Sequence, residues 1–500
     1  MYNRPHASCS GDPTVPNPPV QPRPGRHPRP AVQPSPDLLP ATPGSMIRKL
    51  LKRVFSGRPD TEREPQVIPF QQHGVSRDRI SNSARKVVAG LQEAGFAAFV
   101  VGGAVRDLLL DLEPKDFDVA TSATPEEVRG TFRRSRIIGR RFRLVHVMFG
   151  SETVEVSTFR GSAGGEDDDQ VRDEHGRILR DNVFGSQAED AVRRDFTVNA
   201  LFYDPQTQEV LDYCGGFADL RKRVIRMIGN PAERYREDPI RMLRAVRLAA
   251  KVGGHIEAKT REPISTLGSL IQNVPPARLF EEMLKLLLSG HATECLLQLR
   301  NEGLHHGTLP MLDVILEQPM GERFVMLALN KTDERVREDK PVSPGFLFAA
   351  LLWHEVLAAW KHLEGDGVKP LPALLQAMDN VVSAQVENLA IPRRFTTDMK
   401  DLWALQPRLL NRSGRRPYKL LEHPRFRAAY DFLLLRCESG EVDLEVGQWW
   451  DRFQHGSDEE REQLLLPEEG PKRRRRRRKA PRDAGGESGG GETISADPVV

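Results

Sequence analysis

The residues that decide the fold run from position 102 to 121 and read GGAVRDLLLDLEPKDFDVAT. An apolar run at 96–101 leads into Gly102-Gly103, and residues 104–110 follow with helical texture. Asp116 and Asp118 then flank Phe117 at the head of a strand expected over 117–120. The twofold alternation of a strand puts both carboxylates on one face and turns Phe117 inward. Two carboxylates this close repel unless a cation sits between them, and hard oxygen donors suit Mg²⁺. Two such ions about 3.5–4 Å apart activate an attacking hydroxyl and hold a leaving diphosphate. The glycine turn lets backbone N–H groups approach a triphosphate, and Arg106 on the next helix adds a charge-assisted phosphate contact. A DxD triplet alone occurs in many surface loops. The glycine turn, helix and acid pair in this order within twenty residues are far more specific.

Outward from this stretch, a helix is expected over 81–94 and strands over 144–149, 153–159 and 200–203. Within the strand at 153–159, alternation sets Glu155 opposite Val154 and Val156, which makes it a candidate third acid, with Arg160 at the strand's end. Residues 193–200 read RRDFTVNA, two arginines before an aspartate, a pattern that clamps and orients an anion. From Asp238 onward the periodicity is almost wholly helical, with segments at 240–252, 277–288, 326–329, 346–363, 371–389 and 424–435. Asp238 has the chemistry of a helix N-cap and Pro239 of a first helical residue, with Arg241 and Arg244 one turn apart beyond them.

These motifs resemble the DNA polymerase β-like nucleotidyltransferases. The match is to their class II branch, which contains tRNA CCA-adding enzymes and bacterial poly(A) polymerases. The resemblance implies an α/β nucleotidyltransferase head followed by an all-α body. It implies that Asp116 and Asp118 hold Mg²⁺, with Glu155 or Asp195 as the third acid, and that Gly102, Gly103 and Arg106 seat the triphosphate of ATP. Arg160, Arg194 and Asn199 would touch the nucleotide, as would Arg244. Asp238 and Arg241 would read the Watson–Crick edge of the base, supported by the helix of Arg278 and Glu282. The segment from Ile137 to Val147, with Arg140, Arg141 and Arg143, and the segment from Lys419 to Asp431 resemble the poly(A) polymerase branch more than the CCA-adding branch. The activity so implied is untemplated addition of AMP to the 3′ ends of single-stranded RNA, in contact with RNA-decay machinery. The rival readings are a CCA-adding enzyme, and a non-catalytic RNA-binding adaptor, which would have no use for two crowded acids.

Composition sets the frame. The 500 residues suffice for several domains, and a net charge of +3 by itself points to no partner. Its distribution does: residues 472–479, KRRRRRRK, form a cationic block suited to polyanions. Cys9, Cys214, Cys295 and Cys437 lie far apart without a CxxC pair, which disfavours a disulfide framework or zinc site and suits a reducing cytoplasm. No apolar run approaches the roughly 20 residues of a membrane span, and no secretory signal opens the chain. The expected organisation is a proline-rich, basic, disordered segment (1–75), a catalytic head (76–217), a helical neck (218–290), a helical RNA-binding body (291–460) and a basic disordered tail (461–500). Within the first segment, residues 46–57 begin at Met46 as a basic amphipathic stretch. They are either the true start of translation or a helix resting on RNA or an acidic surface.

Overall fold

The computed structural model describes residues 64–467, apart from 140–142, 162–169, 173–177, 182 and 305–318. The proline-rich start, the basic stretch at 46–57, Arg140 and Arg141, and the arginine block at 472–479 therefore lie outside the described residues.

The head is built on a mixed sheet. Its strands are β1 (Gln66–Ile68), β2 (Ala98–Val101), β3 (Asp118–Thr121), β4 (Ser135–Ile138), β5 (Leu144–Phe149) and β6 (Glu152–Thr158). A small separate hairpin, β7 (Gln170–Arg172) and β8 (Ile178–Asp181), precedes β9 (Leu201–Asp204) and β10 (Glu209–Asp212). The sheet order is β1-β10-β9-β2-β3-β6-β5-β4. Its one parallel pairing, β3 with β6, sets Asp118 directly beside Glu155. On one face the helix α1 (Asn82–Glu93), capped by Ser81 accepting from the Ala84 N–H at 3.1 Å, buries Val87, Val88 and Leu91. Val100, Val119 and Val156 from neighbouring strands complete that core. The opposite face carries only a small cluster, Val101, Ala120, Phe159, Ala191 and Phe202, and it is on this thinner side that the acids project.

Two expectations need correction here. Strand β3 begins at Asp118, not Phe117, so Asp116 sits in the approach to the strand and the alternation argument does not apply to it. Val101, the partner of Asp118, is the last residue of β2, and the chain leaves the sheet at Gly102, so residues before 118 find no ladder partner on that strand. The ordered sheet also begins earlier than residue 76, because β1 pairs antiparallel with β10 through Gln66, Val67 and Ile68.

The helix α2 (Gly103–Leu109) follows the glycine turn, and α3 (Gln187–Arg193) precedes the second motif. The neck contains α4 (Pro231–Glu237), α5 (Ile240–Val252) and α6 (Pro276–Leu287). In the body, the helix expected over 346–363 is two, Pro344–Leu351 and Trp353–Gly365, hinged at Leu352. The segment expected at 326–329 extends over Pro319–Arg337. Fully buried Trp353, Trp403, Trp450, Phe324, Phe348 and Phe432 fill the core of the body. No helix among the described residues is long and apolar enough to cross a membrane. Among the described residues Cys295 and Cys437 are buried free thiols.

One body helix pair carries a titratable strain. Gln385 Nε2 donates to Glu355 Oε2 at 3.5 Å, while Glu355 Oε1 and Gln385 Oε1 have no hydrogen-bond partner among the described residues. Burial pushes the Glu355 carboxyl up to about 7. A raised acid favours the folded state only while protonated, so that stability is complete below the usual carboxylate range and is lost as pH rises through 7. Glu355→Gln, which keeps the donor at all pH values, is expected to add about 1–2 kcal/mol at pH 8 and nothing at pH 4. Urea unfolding at the two pH values measures the difference.

Candidate active site

Gly102 adopts φ 72°, ψ −129°, a conformation closed to side chains, and its N–H donates to the Leu201 carbonyl at 3.3 Å. A Cβ there would stand 3.4 Å from the Arg194 guanidinium. The turn thus lets an arginine pass tight against the backbone beside the first residue of β3, since Val101 and Asp118 are partners in register. Arg194 is steered by Asp190, whose Oδ2 accepts from its Nε and Nη2 at 3.1 and 2.9 Å, and it lies over the Phe202 ring.

Asp118, Glu155, Arg160, Arg194, Arg241 and Arg244 line one cavity of about 460 Å³, with Asp190, Arg193, Arg234 and Glu237. Asp118 opens to solvent through its mouth. The protein crowding its other sides, then the charges of Glu155 and Asp116, push its carboxyl up to about 6 against the pull of Arg194. On the next strand His146 stands 3.5 Å from Glu155. A second cavity, of about 500 Å³, is lined by Gly103, Arg106, Asn199 and Asp116, with Lys115, Arg247, Lys251 and Lys285 among others. Arg244 lines both cavities.

A polar chain runs along the wall of the second cavity and reaches the first at Arg244. Lys251 donates to Asp107 Oδ2 at 2.6 Å. Arg106 donates from Nε and Nη2 to Asp107 Oδ1 at 2.9 and 2.7 Å, and from Nη1 to Asn199 Oδ1 at 2.6 Å. Asn199 Nδ2 donates to Asp195 Oδ1 at 3.1 Å, and Arg244 Nη2 lies 2.8 Å from Asp195 Oδ2. That last contact is a charge pair rather than an aligned hydrogen bond, because Oδ2 has no donor of good geometry. Burial alone would raise the Asp195 carboxyl, but Arg244, Asn199, the Phe196 N–H and Arg241 hold it below the usual carboxylate range. Asp195 is therefore already neutralised by protein groups, whereas among the described residues neither Asp116 nor Asp118 receives a hydrogen bond or ion pair.

The neck motif differs from its sequence reading. Asp238 does not cap α5 with its side chain; it is gripped by Arg278 Nη1 and Nη2 at 3.2 and 2.9 Å. A two-pronged arginine pair outcompetes a single N–H for a partly buried carboxylate. Arg241 pairs with Glu237, and Arg234 ties the neck to the head through the carbonyls of Arg193 and Arg194 at 2.6 and 2.7 Å. Glu282 accepts from Arg247 at 2.8 Å. Arg143, the described arginine of the 137–147 segment, pairs with Glu126.

The site residues missed in the sequence are Lys251, Arg247, Glu237, Asp107, Asp190 and His146. The spacing Arg241, Arg244, Arg247, Lys251 on α5 was legible as a cationic stripe extending the motif, but their acidic partners were not. Among the described residues no cluster of three or more His, Cys, Asp or Glu is gathered as a preformed metal cage. Mg²⁺ takes only one or two carboxylates besides phosphate and water oxygens. Unpaired, mutually repelling Asp118 and Asp116 with Glu155 alongside fit that demand.

Three family profiles match the chain: "Poly A polymerase head domain" over 98–226, "Probable RNA and SrmB- binding site of polymerase A" over 254–316, and "Polymerase A arginine-rich C-terminus" over 366–483. Among curated proteins, "Poly(A) polymerase I" of Salmonella typhimurium is 47% identical over 426 residues, covering 83% of this chain and 92% of that protein. Its namesake in Escherichia coli O157:H7 is 49% identical over 420 residues, covering 81% and 90%. The "CCA-adding enzyme" of Lactobacillus helveticus matches at 38% over 211 residues, only 42% of this chain and 51% of that enzyme. Among solved structures, the Bacillus stearothermophilus CCA-adding enzyme in complex with CTP superposes with a TM-score of 0.52 at 25% identity, covering 74% of this chain and 80% of that one. A "tRNA-processing enzyme (apo form I)" superposes at 0.54 and 21% identity, covering 78% and 98%, and shows the shared fold.

Proposed function

The chain belongs to the poly(A) polymerase I family, and from that premise we propose how its head adds adenylate from ATP to RNA 3′ ends, releasing diphosphate, without a template. The observation that carries the assignment of roles is the in-register pair Asp118 and Glu155 beside the glycine turn. Asp116, Asp118 and Glu155 hold Mg²⁺, and Glu155 is preferred to Asp195 as the third acid because Asp195 is committed to Arg244 and Asn199. Bound there, Mg²⁺ lowers the pKa of the attacking 3′-hydroxyl and neutralises charge on the departing diphosphate.

The protein's own groups place the nucleotide. Arg241, Arg244, Arg247 and Lys251 descend one side of α5, a drop of about 15 Å at 1.5 Å per residue. Arg241 faces the first cavity, Arg244 both, and Arg247 and Lys251 the second. ATP lies along this stripe, its base toward Asp238 and Arg241 and its terminal phosphates toward Gly103 and Lys251. Arg106, with donors spent on Asp107 and Asn199, positions the turn rather than gripping phosphate alone. Arg160 and Arg194 flank the reacting phosphate. The enzyme acts in the cytoplasm on single-stranded 3′ ends and hands its products to RNA-decay machinery.

Full-length protein incubated with a short RNA, Mg²⁺ and each nucleotide in turn should give long ladders with ATP alone. CTP incorporation that halts after three additions would overturn the assignment in favour of a CCA-adding enzyme.

A further inference from the structure

In the body, the helix Arg393–Leu409 ends, the chain turns, and the short helix Arg416–Leu421 begins. Between them lies a cavity of about 400 Å³ lined by Pro407, Arg408, Asn411, Arg416, Lys419 and Leu420. Its lining contains three cations and no carboxylate. A second body cavity, about 460 Å³, sets Lys331, Arg335, Lys340 and Arg427 against Glu334, Glu338 and Asp431, and so offsets all but one of its positive charges. Among the described residues Arg408, Arg416 and Lys419 form no ion pair, whereas nearby Arg412 pairs with Glu445 at 3.2 Å and Arg425 with Asp398.

The frame that holds these cations together is rigid. Trp450 Nε1 donates to the Leu409 carbonyl at 2.7 Å, and the Leu466 N–H donates to the Arg412 carbonyl at 3.0 Å. Leu409 and Leu420 are buried. Asn411 Oδ1 is spent on the Ser413 N–H and hydroxyl at 3.3 and 3.0 Å, which leaves the Asn411 amide N–H groups to face the cavity's occupant. Two guanidinium groups, an ammonium and an amide thus converge as donors with no competing acceptor. Like charges held together repel, and an anion that accepts several hydrogen bonds relieves the repulsion.

Resting on the polymerase reading above, we propose that this cavity is an exosite for the sugar–phosphate backbone of RNA. It would grip the single strand upstream of the 3′ end by its phosphodiesters and without regard to sequence. Each gripped phosphate releases counterions, so the site adds to the salt dependence of binding to long RNA and leaves chemistry at the head untouched.

The test uses the full chain carrying Arg408→Gln, Arg416→Gln and Lys419→Gln, three exposed side chains whose change leaves the core intact. Affinity is read by fluorescence anisotropy for a long unstructured RNA and a short oligonucleotide at several salt concentrations, with ATP turnover on the short primer alongside. The expected result is an approximately tenfold loss for long RNA, a salt slope shallower by about 2, and unchanged short-primer kcat and melting temperature. Unchanged affinity and slope for long RNA would overturn the exosite, as would equal losses for long and short RNA. Loss of inorganic phosphate binding alone, or of a polyglutamate probe alone, with RNA binding intact would overturn it in favour of a small-anion or acidic-protein site. Failure of the polymerase reading shows separately, as unaltered protein that transfers no adenylate to either RNA.

Discussion

Asp118→Asn is expected to cut adenylate transfer about a thousandfold or more while leaving the protein at least as stable as before. The loss follows from the proposed role, because a neutral amide would be a poor ligand for a divalent cation. The stability follows from the same crowding that makes the residue useful. Burial and the charges of Glu155 and Asp116 push the Asp118 carboxyl from 3.8 to about 6, so its ionised form is held at a cost to the fold. Allowing for solvent at the cavity mouth, removing that charge returns about 1 kcal/mol. Single-turnover extension with saturating RNA, and thermal unfolding of the same preparations, measure both halves. A D118N variant that is inactive because it melts early would contradict the argument.

Arg244→Ala should have the opposite profile and destabilise strongly. Asp195 is 8% exposed and the arginine is its ion partner at 2.8 Å, so truncation leaves a buried carboxylate with only Asn199, the Phe196 N–H and the more distant Arg241, at a cost of about 2–3 kcal/mol. Adding Asp195→Asn removes the stranded charge and keeps an oxygen for the Phe196 N–H and Asn199, so most of that stability should return. Activity should not, since Arg244 lines both cavities and the double variant still lacks it. Urea unfolding of the single and double variants decides the first point, and the ATP dependence of extension the second. A double variant no more stable than the single would refute the charge-pair account.

How much of this was legible in the sequence depended on how local each interaction is. The expected bounds 144–149 and 240–252 coincide with β5 and α5, because alternation and the 3.6-residue period are written within each segment. Strand β4, only SRII, is too short and too mixed to announce itself, and β10 draws its register from β9 and β1. The break at Leu352 hides inside a continuous apolar run. At the site, the residue types of the glycine turn and the acids were readable from spacing. The partners were not: Lys251 reaches Asp107 across 144 positions, and Arg278 takes Asp238 from 40 positions away. A cap expected from local chemistry yields to a stronger partner that only the tertiary fold supplies.

The polar chain that leaves α5 at Arg244 returns to it at Lys251, and the helix itself closes the circuit. Such a clasp ties the head to the neck, because opening the cleft would part the buried Asp107 and Asp195 from their cationic partners on the helix. A cleft tied across both ends of one helix face is expected to keep its width as successive nucleotides are added.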